Sequence, residues 1–503
     1  MMKFRLTFLP LLLSVAHAAE VSTVQPVCPV LLGQETNPVL GFKVKVDEPA
    51  KLEGIEVSLT GTTRLQDVEQ VRILRGKETP ASATGAPVAE LAPKAGAMNR
   101  TCDLALETGE HWFWVSVELK KNADIDGRVD VALGRLKVGG AVIQAPTPSP
   151  DGSQRIGVVV RKPGDDKSKA YRIPGLVRSK KGSLLAAYDI RYKHAGDLPA
   201  DIDVGLSRST DGGKTWEPMR VAIDMGNDPK FGFDGVGDPC IFSDDVTGRI
   251  WIAALWSHGK RAWHGSGPGL TPDETGQLVL SYSDDDGKTW SKGESITPQV
   301  KDPAWNLFFN GPGTGITMKD GTLAIPAQFR SADGKPHSTM LSSKDRGKTW
   351  TAGTGVRPNT TEAQLVELAD GSIMINCRDD RGGSRTVAVS KDLGKTWEPH
   401  PTDRKGLREP VCMASLMRWQ HPKYGDLLFF SNPDTTKGRQ SMTIKLSSDQ
   451  GMTWPDSAAR LYDERPCFGY SCLAPADASH LGVLYEGSGA LFYLRMPLNE
   501  WFK

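Results

Sequence analysis

The sequence has almost no net charge, few cysteines for its length and no long hydrophobic run beyond its first residues. Over 503 residues there are 61 lysines and arginines against 60 aspartates and glutamates, so the formal net charge is +1. A chain this close to neutrality lacks the positive field of a general nucleic-acid-binding protein, which argues against that class. No segment after the N-terminus offers 18 apolar residues in a row, so we expect no membrane span.

The seven cysteines predict neither a metal site nor a fixed set of disulfides. Seven is an odd number, so at least one thiol has no partner within the chain. A bridge between Cys28 and Cys102 stays open, since both lie in the N-terminal region. The sequence carries no paired C-x-x-C motifs, and its aspartate-rich turns lack the EF-hand spacing, so we expect no bound metal.

The first 18 residues have the layout of a secretory signal peptide. Lys3 and Arg5 precede the apolar run 6–15, and Ala16-His17-Ala18 is typical of a cleavage site. We therefore expect cleavage near residue 18 and a secreted or periplasmic protein, with attachment to the cell surface left open. The alternative interpretation is a buried N-terminal helix.

Glycine (53) and proline (34) are abundant, as in proteins built from many short strands and turns. One turn pattern, Ser-x-Asp-x-Gly-x-Thr-Trp, occurs five times. Its copies begin at Ser209, Ser283, Ser343, Ser390 and Ser447 and end at Trp216, Trp290, Trp350, Trp397 and Trp454.

Each copy of this pattern predicts a turn between two strands. Serine and aspartate side chains bind backbone groups within such a turn, glycine adopts the conformation that other residues resist, and tryptophan packs against the neighbouring layer. A short apolar segment precedes every copy, as expected for a strand. Repeats of this kind build a β-propeller. Residues 155–503 allow about 58 residues per blade for six blades, one of which lacks the turn pattern.

The N-terminal part predicts a different all-β domain. Segments rich in β-branched and aromatic residues alternate with turns, which is typical of an antiparallel β-sandwich. We assign the signal peptide to 1–18, the sandwich to 19–144, a Pro-rich linker to 145–154 and a six-bladed propeller to 155–503. The fold class is therefore all-β, with a six-bladed β-propeller preceded by a β-sandwich.

The motif Tyr171-Arg172-Ile173-Pro174-Gly175, followed by five of these turns, or Asp boxes, resembles the bacterial exo-α-sialidases (neuraminidases) of the Asp-box propeller type. The resemblance covers the whole mature chain, including the sandwich. It implies a site that binds the carboxylate of a sialic acid with three arginines, here Arg172, Arg378 and Arg439. Arginine suits this task because it stays charged and offers fork-like donors. The alternative for each arginine taken alone is a solvated surface charge.

The resemblance further implies a tyrosine nucleophile, Tyr470, assisted by Glu362. A carboxylate nucleophile would approach a carbon that bears its own carboxylate, and two like charges at about 4 Å repel by roughly 4 kcal/mol. A neutral tyrosine avoids that repulsion, and a neighbouring carboxylate can accept its proton during attack. The alternatives are a core tyrosine and a surface glutamate. Glu367 lies close to Glu362 in sequence but at a different point of the motif.

The general acid/base implied by the resemblance is Asp197, on a loop before the first Asp box. Asp201 and Asp203 are near rivals, and Asp189 is a more distant one. Two further residues match the family pattern. Arg191 corresponds to an additional contact with a sugar hydroxyl, and Glu486 to the carboxylate that orients Arg172.

These matches imply a retaining exo-α-sialidase that acts on sialylated glycans such as glycoproteins, mucins and gangliosides, with no metal or organic cofactor. The alternatives are a trans-sialidase, a sialidase that forms an anhydro sugar, and a sialoside-binding lectin without catalysis on the same fold. The sandwich is either a glycan-binding domain or a rigid spacer. The oligomeric state is left open.

Overall fold

The computed structural model of the chain describes residues 19–226 and 234–502, so the predicted signal peptide lies outside the described residues. Among the described residues, strands make up 49% and helices 4%, which confirms the all-β prediction. No helix within the described ranges is long and apolar enough to cross a membrane. The helical segments are short: Leu65–Asp67, Pro80–Ser82, Asp165–Lys167, Thr297–Val300, Asp456–Ala458 and Leu498–Trp501.

The chain forms two compact units that interleave along the sequence. Of the described residues, the first unit comprises 19–26, Glu35–Lys120 and Arg128–Ser153. The second comprises Val27–Gln34, Lys121–Gly127 and the chain from Gln154 onwards. Two short segments within the range 19–144 thus belong to the second unit.

The first unit contains two antiparallel sheets and is the predicted β-sandwich. In spatial order, the five-stranded sheet is Glu20–Val24, Pro38–Val46, Gly109–Leu119, Val68–Gly76 and Ala89–Leu91. The four-stranded sheet is Ala141–Gln144, Ala132–Val138, Ala50–Ser58 and Ala97–Leu106, and a short strand lies at Arg128–Val129. Alternating apolar residues face inward, and Phe42 stacks on Phe113 with ring centroids 5.2 Å apart.

The second unit is a six-bladed propeller, as predicted. Each blade is an antiparallel sheet, and its strands are named in chain order. Blade 1 is Ala170–Arg178, Leu184–Arg191, Ile202–Ser209 and Arg220–Ile223; blade 2 is Asp234–Ser243, Ile250–His258, Gln277–Ser283 and Glu294–Ser295. Blade 3 is Leu307–Asn310 with Ile316–Thr317, Leu323–Arg330, Pro336–Ser343 and Thr351–Ala352; blade 4 is Thr360–Glu367, Ile373–Asp379, Thr386–Ser390 and Glu398–Pro399. Blade 5 is Ser415–His421, Gly425–Pro433, Met442–Ser447 and Arg460–Asp463.

Blade 6 closes the ring and is the blade without an Asp box. It consists of the C-terminal strands Ser471–Pro475, His480–Glu486 and Leu491–Pro497, together with Gln154–Arg161, the strand that precedes blade 1 in the sequence. Val30–Leu32 adds a parallel strand at its edge. Short strand pairs complete the propeller: Gly313–Thr314 pairs with the first strand of blade 2, and Gly383–Ser384 pairs with Arg408–Glu409.

The five Asp boxes form the predicted turns with nearly identical geometry. In every copy the serine Oγ lies 2.7–2.9 Å from the aspartate Oδ1 and accepts from the glycine N–H at 2.8–2.9 Å. The glycines have φ between 79° and 88°, in the left-handed region. A Cβ on each glycine would meet a side chain of the preceding blade, such as Leu185 behind Gly287 and Trp251 behind Gly347. The turns therefore lock successive blades together.

The seven cysteines, which all lie in the described ranges, are free thiols. The bridge between Cys28 and Cys102 does not form. Cys28 belongs to the second unit and Cys102 to the first.

Candidate active site

The propeller topology brings the eight predicted site residues to one end of the ring. In an antiparallel blade, the start of the first strand, the end of the second strand and the loop after it all lie at the same end. Four residues lie at such strand ends: Arg172 and Glu362 near the starts of first strands, and Arg378 and Glu486 near the ends of second strands. The remaining four also belong to this end: Arg191 ends a second strand, Asp197 and Arg439 lie in the loops that follow, and Tyr470 precedes a first strand. The Asp boxes follow the third strands and thus lie at the opposite end.

The first strands of three blades carry bulges at this end of the propeller. The register shifts between Arg172 and Gly175 in blade 1, and between Thr360 and Ala363 in blade 4. It also shifts between Gly237 and Cys240 in blade 2. An extra residue in a strand re-aims a side chain, and bulges are frequent beside active sites.

Glu486 is the carboxylate that holds Arg172. It is fully buried, and its Oε1 accepts from Arg172 Nε at 3.0 Å and from the Ile173 N–H at 2.9 Å. Its Oε2 accepts from Arg172 Nη2 at 3.3 Å and from the Tyr470 N–H at 3.0 Å. Burial alone would lower the pKa of Arg172, but the charge of Glu486 outweighs burial and raises that pKa, so the guanidinium stays charged. Glu486 thus joins blade 6 to blade 1 behind the site.

Tyr470, Glu362 and Arg378 form one hydrogen-bonded cluster. The Tyr470 hydroxyl lies 2.5 and 2.7 Å from the two carboxylate oxygens of Glu362. Arg378 Nη1 donates to Glu362 Oε2 at 2.7 Å and to the Tyr470 Oη at 2.9 Å. Burial, followed by the charge of Glu362, raises the pKa of Tyr470 well above its usual range. The tyrosine is therefore a neutral phenol whose proton faces a carboxylate acceptor and whose oxygen faces a cation.

Arg439 completes the group of three arginines around the tyrosine. Its Nη1 and Nη2 donate to the carbonyls of Phe468 and Val411, both at 2.9 Å. Its guanidinium carbon lies 5.6 Å from the centre of the Tyr470 ring, and that of Arg172 lies 5.5 Å from the same centre. Three guanidiniums thus lie around one aromatic ring, an arrangement that can bind an anion.

Asp197 lies on the loop of blade 1, tied to the fully buried Arg191. Arg191 Nη2 donates to Asp197 Oδ1 at 3.1 Å and to Asp189 Oδ2 at 2.8 Å. The Asp197 side chain is 65% exposed, which leaves it free to meet a ligand. Asp189 is fully buried, and burial raises its pKa to about 6. Asp189, the distant rival for the acid/base, therefore lies behind Arg191, where it can orient that arginine.

Asp238 is a site residue that the sequence analysis missed. It lies in the bulge of blade 2 with φ 56°, and its N–H donates to Asp189 Oδ1 at 2.9 Å. Oxygens of Asp189, Asp197 and Asp238 lie within 4.8 Å of one another, a spacing that could hold a cation. Arg191 donates to two of these three carboxylates and supplies positive charge to the cluster. The dipeptide Asp238-Pro239, which matches Ile173-Pro174 in blade 1, is a signal that could have predicted this bulge.

A cavity of about 280 Å³ opens between these groups. Asp197, Glu362, Arg378 and Tyr470 line it. Its other lining residues, which the sequence analysis did not name, are Leu198, Asp238, Leu255, Trp263, Phe309, Gln328, Thr361 and Asp380. Its lining combines charged and apolar side chains, which suits a ligand with both a charged and an apolar part.

The remaining sequence alternatives have other partners. Asp201 forms an ion pair with Lys193 at 3.2 Å, and Asp203 accepts from the Tyr192 hydroxyl at 2.8 Å. Glu367 accepts from the Lys319 N–H at 2.9 Å. None of these three carboxylates lines the cavity.

Comparisons with known proteins match both units. Residues 176–483 match the BNR repeat-like domain, and residues 18–94 match the N-terminal domain of BNR-repeat neuraminidase. The chain is 41% identical over 498 residues to a sialidase of Bacteroides fragilis (strain YCH46), covering 92% of this chain and 91% of the relative. A sialidase of Micromonospora viridifaciens is 34% identical over 341 residues, covering 65% of this chain and 51% of the relative. The solved structure of a Hadza microbial sialidase aligns with a TM-score of 0.89 at 39% identity, covering 95% of this chain and 99% of that one.

Fold, site and comparisons together define a glycoside hydrolase on an Asp-box propeller. The chain belongs to the BNR-repeat sialidase family, and its enzyme class is that of the exo-α-sialidases. The resemblance drawn from the sequence is confirmed.

Proposed function

We propose that this enzyme releases terminal sialic acid from sialylated glycans with retention of configuration, through a glycosyl-enzyme linked to Tyr470. The observation that carries the proposal is the Tyr470 hydroxyl, which contacts the Glu362 carboxylate and the Arg378 guanidinium at the wall of the cavity. In this mechanism Tyr470 is the nucleophile and Glu362 its base. We further infer that the protein is secreted or periplasmic.

The first step needs a phenol that loses its proton only as it attacks. A free phenolate at neutral pH would cost about 4 kcal/mol, since the ordinary tyrosine pKa is about 10, and burial adds to that cost. Glu362 accepts the proton along the existing hydrogen bond, so that a new bond forms between Oη and the anomeric carbon. Arg378 stabilises the charge that develops on Oη.

Substrate binding relies on the three arginines. The sialic acid carboxylate would be held by Arg172, Arg378 and Arg439 beside the Tyr470 ring, which brings the anomeric carbon close to the hydroxyl. The charge of the three cations favours this anion over a neutral sugar. Arg191 would contact a hydroxyl of the sugar ring.

Asp197 would act twice, as acid and then as base. It lines the same cavity as Tyr470, on a different blade, and its carboxyl group is exposed to an entering ligand. It first protonates the leaving oxygen of the glycan and then removes a proton from the water that attacks the glycosyl-enzyme. Two displacements at the same carbon retain its configuration.

The test is the stereochemistry of the product, followed by NMR during turnover of a simple sialoside. The wild type should release sialic acid first as the α-anomer, and Tyr470→Phe should lose at least about a hundredfold in kcat. First release as the β-anomer would overturn the retaining mechanism. A transferred sugar or an anhydro product would instead assign one of the related reactions. Binding without any release by the wild type would assign a lectin.

A further inference from the structure

The propeller contains a buried ion pair, Arg385 with Glu409, that no step of the proposed mechanism uses. We infer that this pair is a positioning device that holds Arg378 and Arg439 in the geometry that binds the substrate carboxylate. The inference rests on the proposed role of those two arginines. Neither member of the pair lines the cavity.

Burying this ion pair opposes folding, so its place in the interior requires an explanation. The side chains of Arg385 and Glu409 are 1% and 0% exposed, with Nη1 and Oε2 2.8 Å apart. Removing two charges from water opposes folding, and apolar residues of similar size are often at least as stabilising. Such a pair is retained at little cost only where its remaining donors and acceptors are satisfied. Here they are satisfied by two segments of the chain that support the site.

The first segment is the strand end that carries Arg378. Arg385 Nε donates to the side-chain oxygen of Asn376 at 2.6 Å, and its Nη2 donates to the Asn376 carbonyl at 3.2 Å. Glu409 Oε1 accepts from the Asp379 N–H at 2.6 Å. The ion pair thus binds the backbone on both sides of Arg378, at Asn376 before it and at Asp379 after it.

The second segment supports Arg439. Arg385 Nη1 donates to the Cys412 carbonyl at 2.6 Å, and Glu409 Oε2 accepts from the Cys412 N–H at 3.4 Å. The preceding residue, Val411, has φ 57°, a strained conformation for a β-branched residue. Its carbonyl accepts from Arg439 Nη2. The ion pair thus fixes the strained peptide from which Arg439 is held.

One buried pair therefore connects the supports of two arginines that belong to different blades. It touches neither the nucleophile nor the acid/base. Its loss should weaken recognition of the substrate carboxylate by both arginines.

The experiment measures carboxylate recognition directly in Glu409→Gln. The probes are 2,3-didehydro-2-deoxy-N-acetylneuraminic acid and its methyl ester, which differ only at the group that the arginines bind: a charged carboxylate in one and an uncharged ester in the other. Kd values for both are measured by calorimetry, with the midpoint of thermal unfolding. We expect the acid-over-ester preference of the wild type to fall by about tenfold in the variant, the effect of weakening one charge-assisted hydrogen bond. Affinity for the ester should change little.

Two further variants separate positioning from stability. Asp286→Asn breaks another buried ion pair, with Arg208, in an Asp-box turn at the opposite end of the propeller. It should lower the unfolding midpoint and leave the acid-over-ester preference unchanged. The double variant Arg385→Met with Glu409→Met leaves no unpaired charge, so it should fold even if Glu409→Gln does not. It should show the same loss of preference.

An unchanged preference in the folded double variant, beside a clear preference in the wild type, would overturn the positioning role alone. Equal losses for acid and ester would also overturn it, because they indicate a general loss of structure. A wild type with no preference for the acid would overturn the proposed arginine site, and the positioning role with it.

Discussion

Glu486→Gln is the change that most sharply separates the support of the site from its chemistry. The carboxylate accepts four hydrogen bonds, two of them from Arg172 and one each from the Ile173 and Tyr470 N–H groups. An amide has one accepting oxygen, so in either orientation its NH2 group would face two donors. Arg172 would lose its charge partner and one of its two hydrogen bonds.

The size of the effect follows from burial. Glu486 is fully buried and Arg172 is 14% exposed, so the unpaired guanidinium gains little solvation. Breaking a buried pair by removing one partner costs about 3–5 kcal/mol. A shift of Arg172 by about 1 Å would lower kcat/KM by roughly a hundredfold. Most of that loss should appear in KM, because the substrate carboxylate is bound before the chemical step.

The assay combines steady-state kinetics on a simple sialoside with thermal unfolding. Glu367→Gln is the matched control, because it is the same substitution on a strand of the same propeller and its side chain does not line the cavity. It should leave KM unchanged. A Glu486→Gln enzyme with kcat/KM within about threefold of wild type would refute the orienting role.

Three other predictions test different parts of the molecule. Asp197→Asn should slow cleavage of sialosides with poor leaving groups by about 10²–10⁴-fold, and cleavage of an aryl sialoside with an acidic phenol much less; equal losses would contradict an acid role. Burial raises the pKa of Asp189 in the folded protein to about 6, from about 4 in the unfolded chain. Its contribution to stability is therefore fully present below pH 4 and is lost as the pH rises through 6. Asp189→Asn should therefore gain stability relative to wild type between pH 4 and pH 7, followed by thermal unfolding; a difference that does not vary with pH would contradict this. Gly213→Ala should cost about 3 kcal/mol of unfolding free energy, since its Cβ would lie 2.1 Å from the Tyr493 ring, whereas Gly425→Ala, with a similar φ and open space, should cost less.

The elements that sequence predicts well are those whose interactions are local. In each Asp box, serine, aspartate, glycine and threonine lie within a stretch of seven residues and bond to one another, so their spacing alone predicts the turn. Five copies then predict the propeller, and a sixth blade follows from the length. The site residues Arg172, Glu362 and Tyr470 came from the resemblance, because no local pattern connects residues that are 108 or more positions apart.

The features that sequence did not predict depend on distant contacts. Val30–Leu32 joins blade 6 by parallel pairing with a strand more than a hundred residues later, and a three-residue strand carries no signal for such a partner. Asp238 enters the site through a bulge whose N–H binds Asp189, 49 residues earlier. Buried charges are also hard to recognise in a sequence, because arginine and glutamate usually lie at the surface. Arg385 and Glu409 are buried because of the backbone that packs around them, which the sequence does not reveal.

The groups that hold the site arginines in place differ in charge, and this difference affects how the site binds an anion. Arg172 is held by Glu486, Arg378 by Glu362 and Arg191 by Asp189, so each of these guanidiniums is largely neutralised by a carboxylate. Arg439 is held by two backbone carbonyls, and no ion pair to it is found among the described residues. Its positive charge is therefore the least compensated of the three around Tyr470. A substrate carboxylate supplies to Arg439 the negative charge that this arginine lacks, whereas an uncharged sugar does not, so this contact favours the anion.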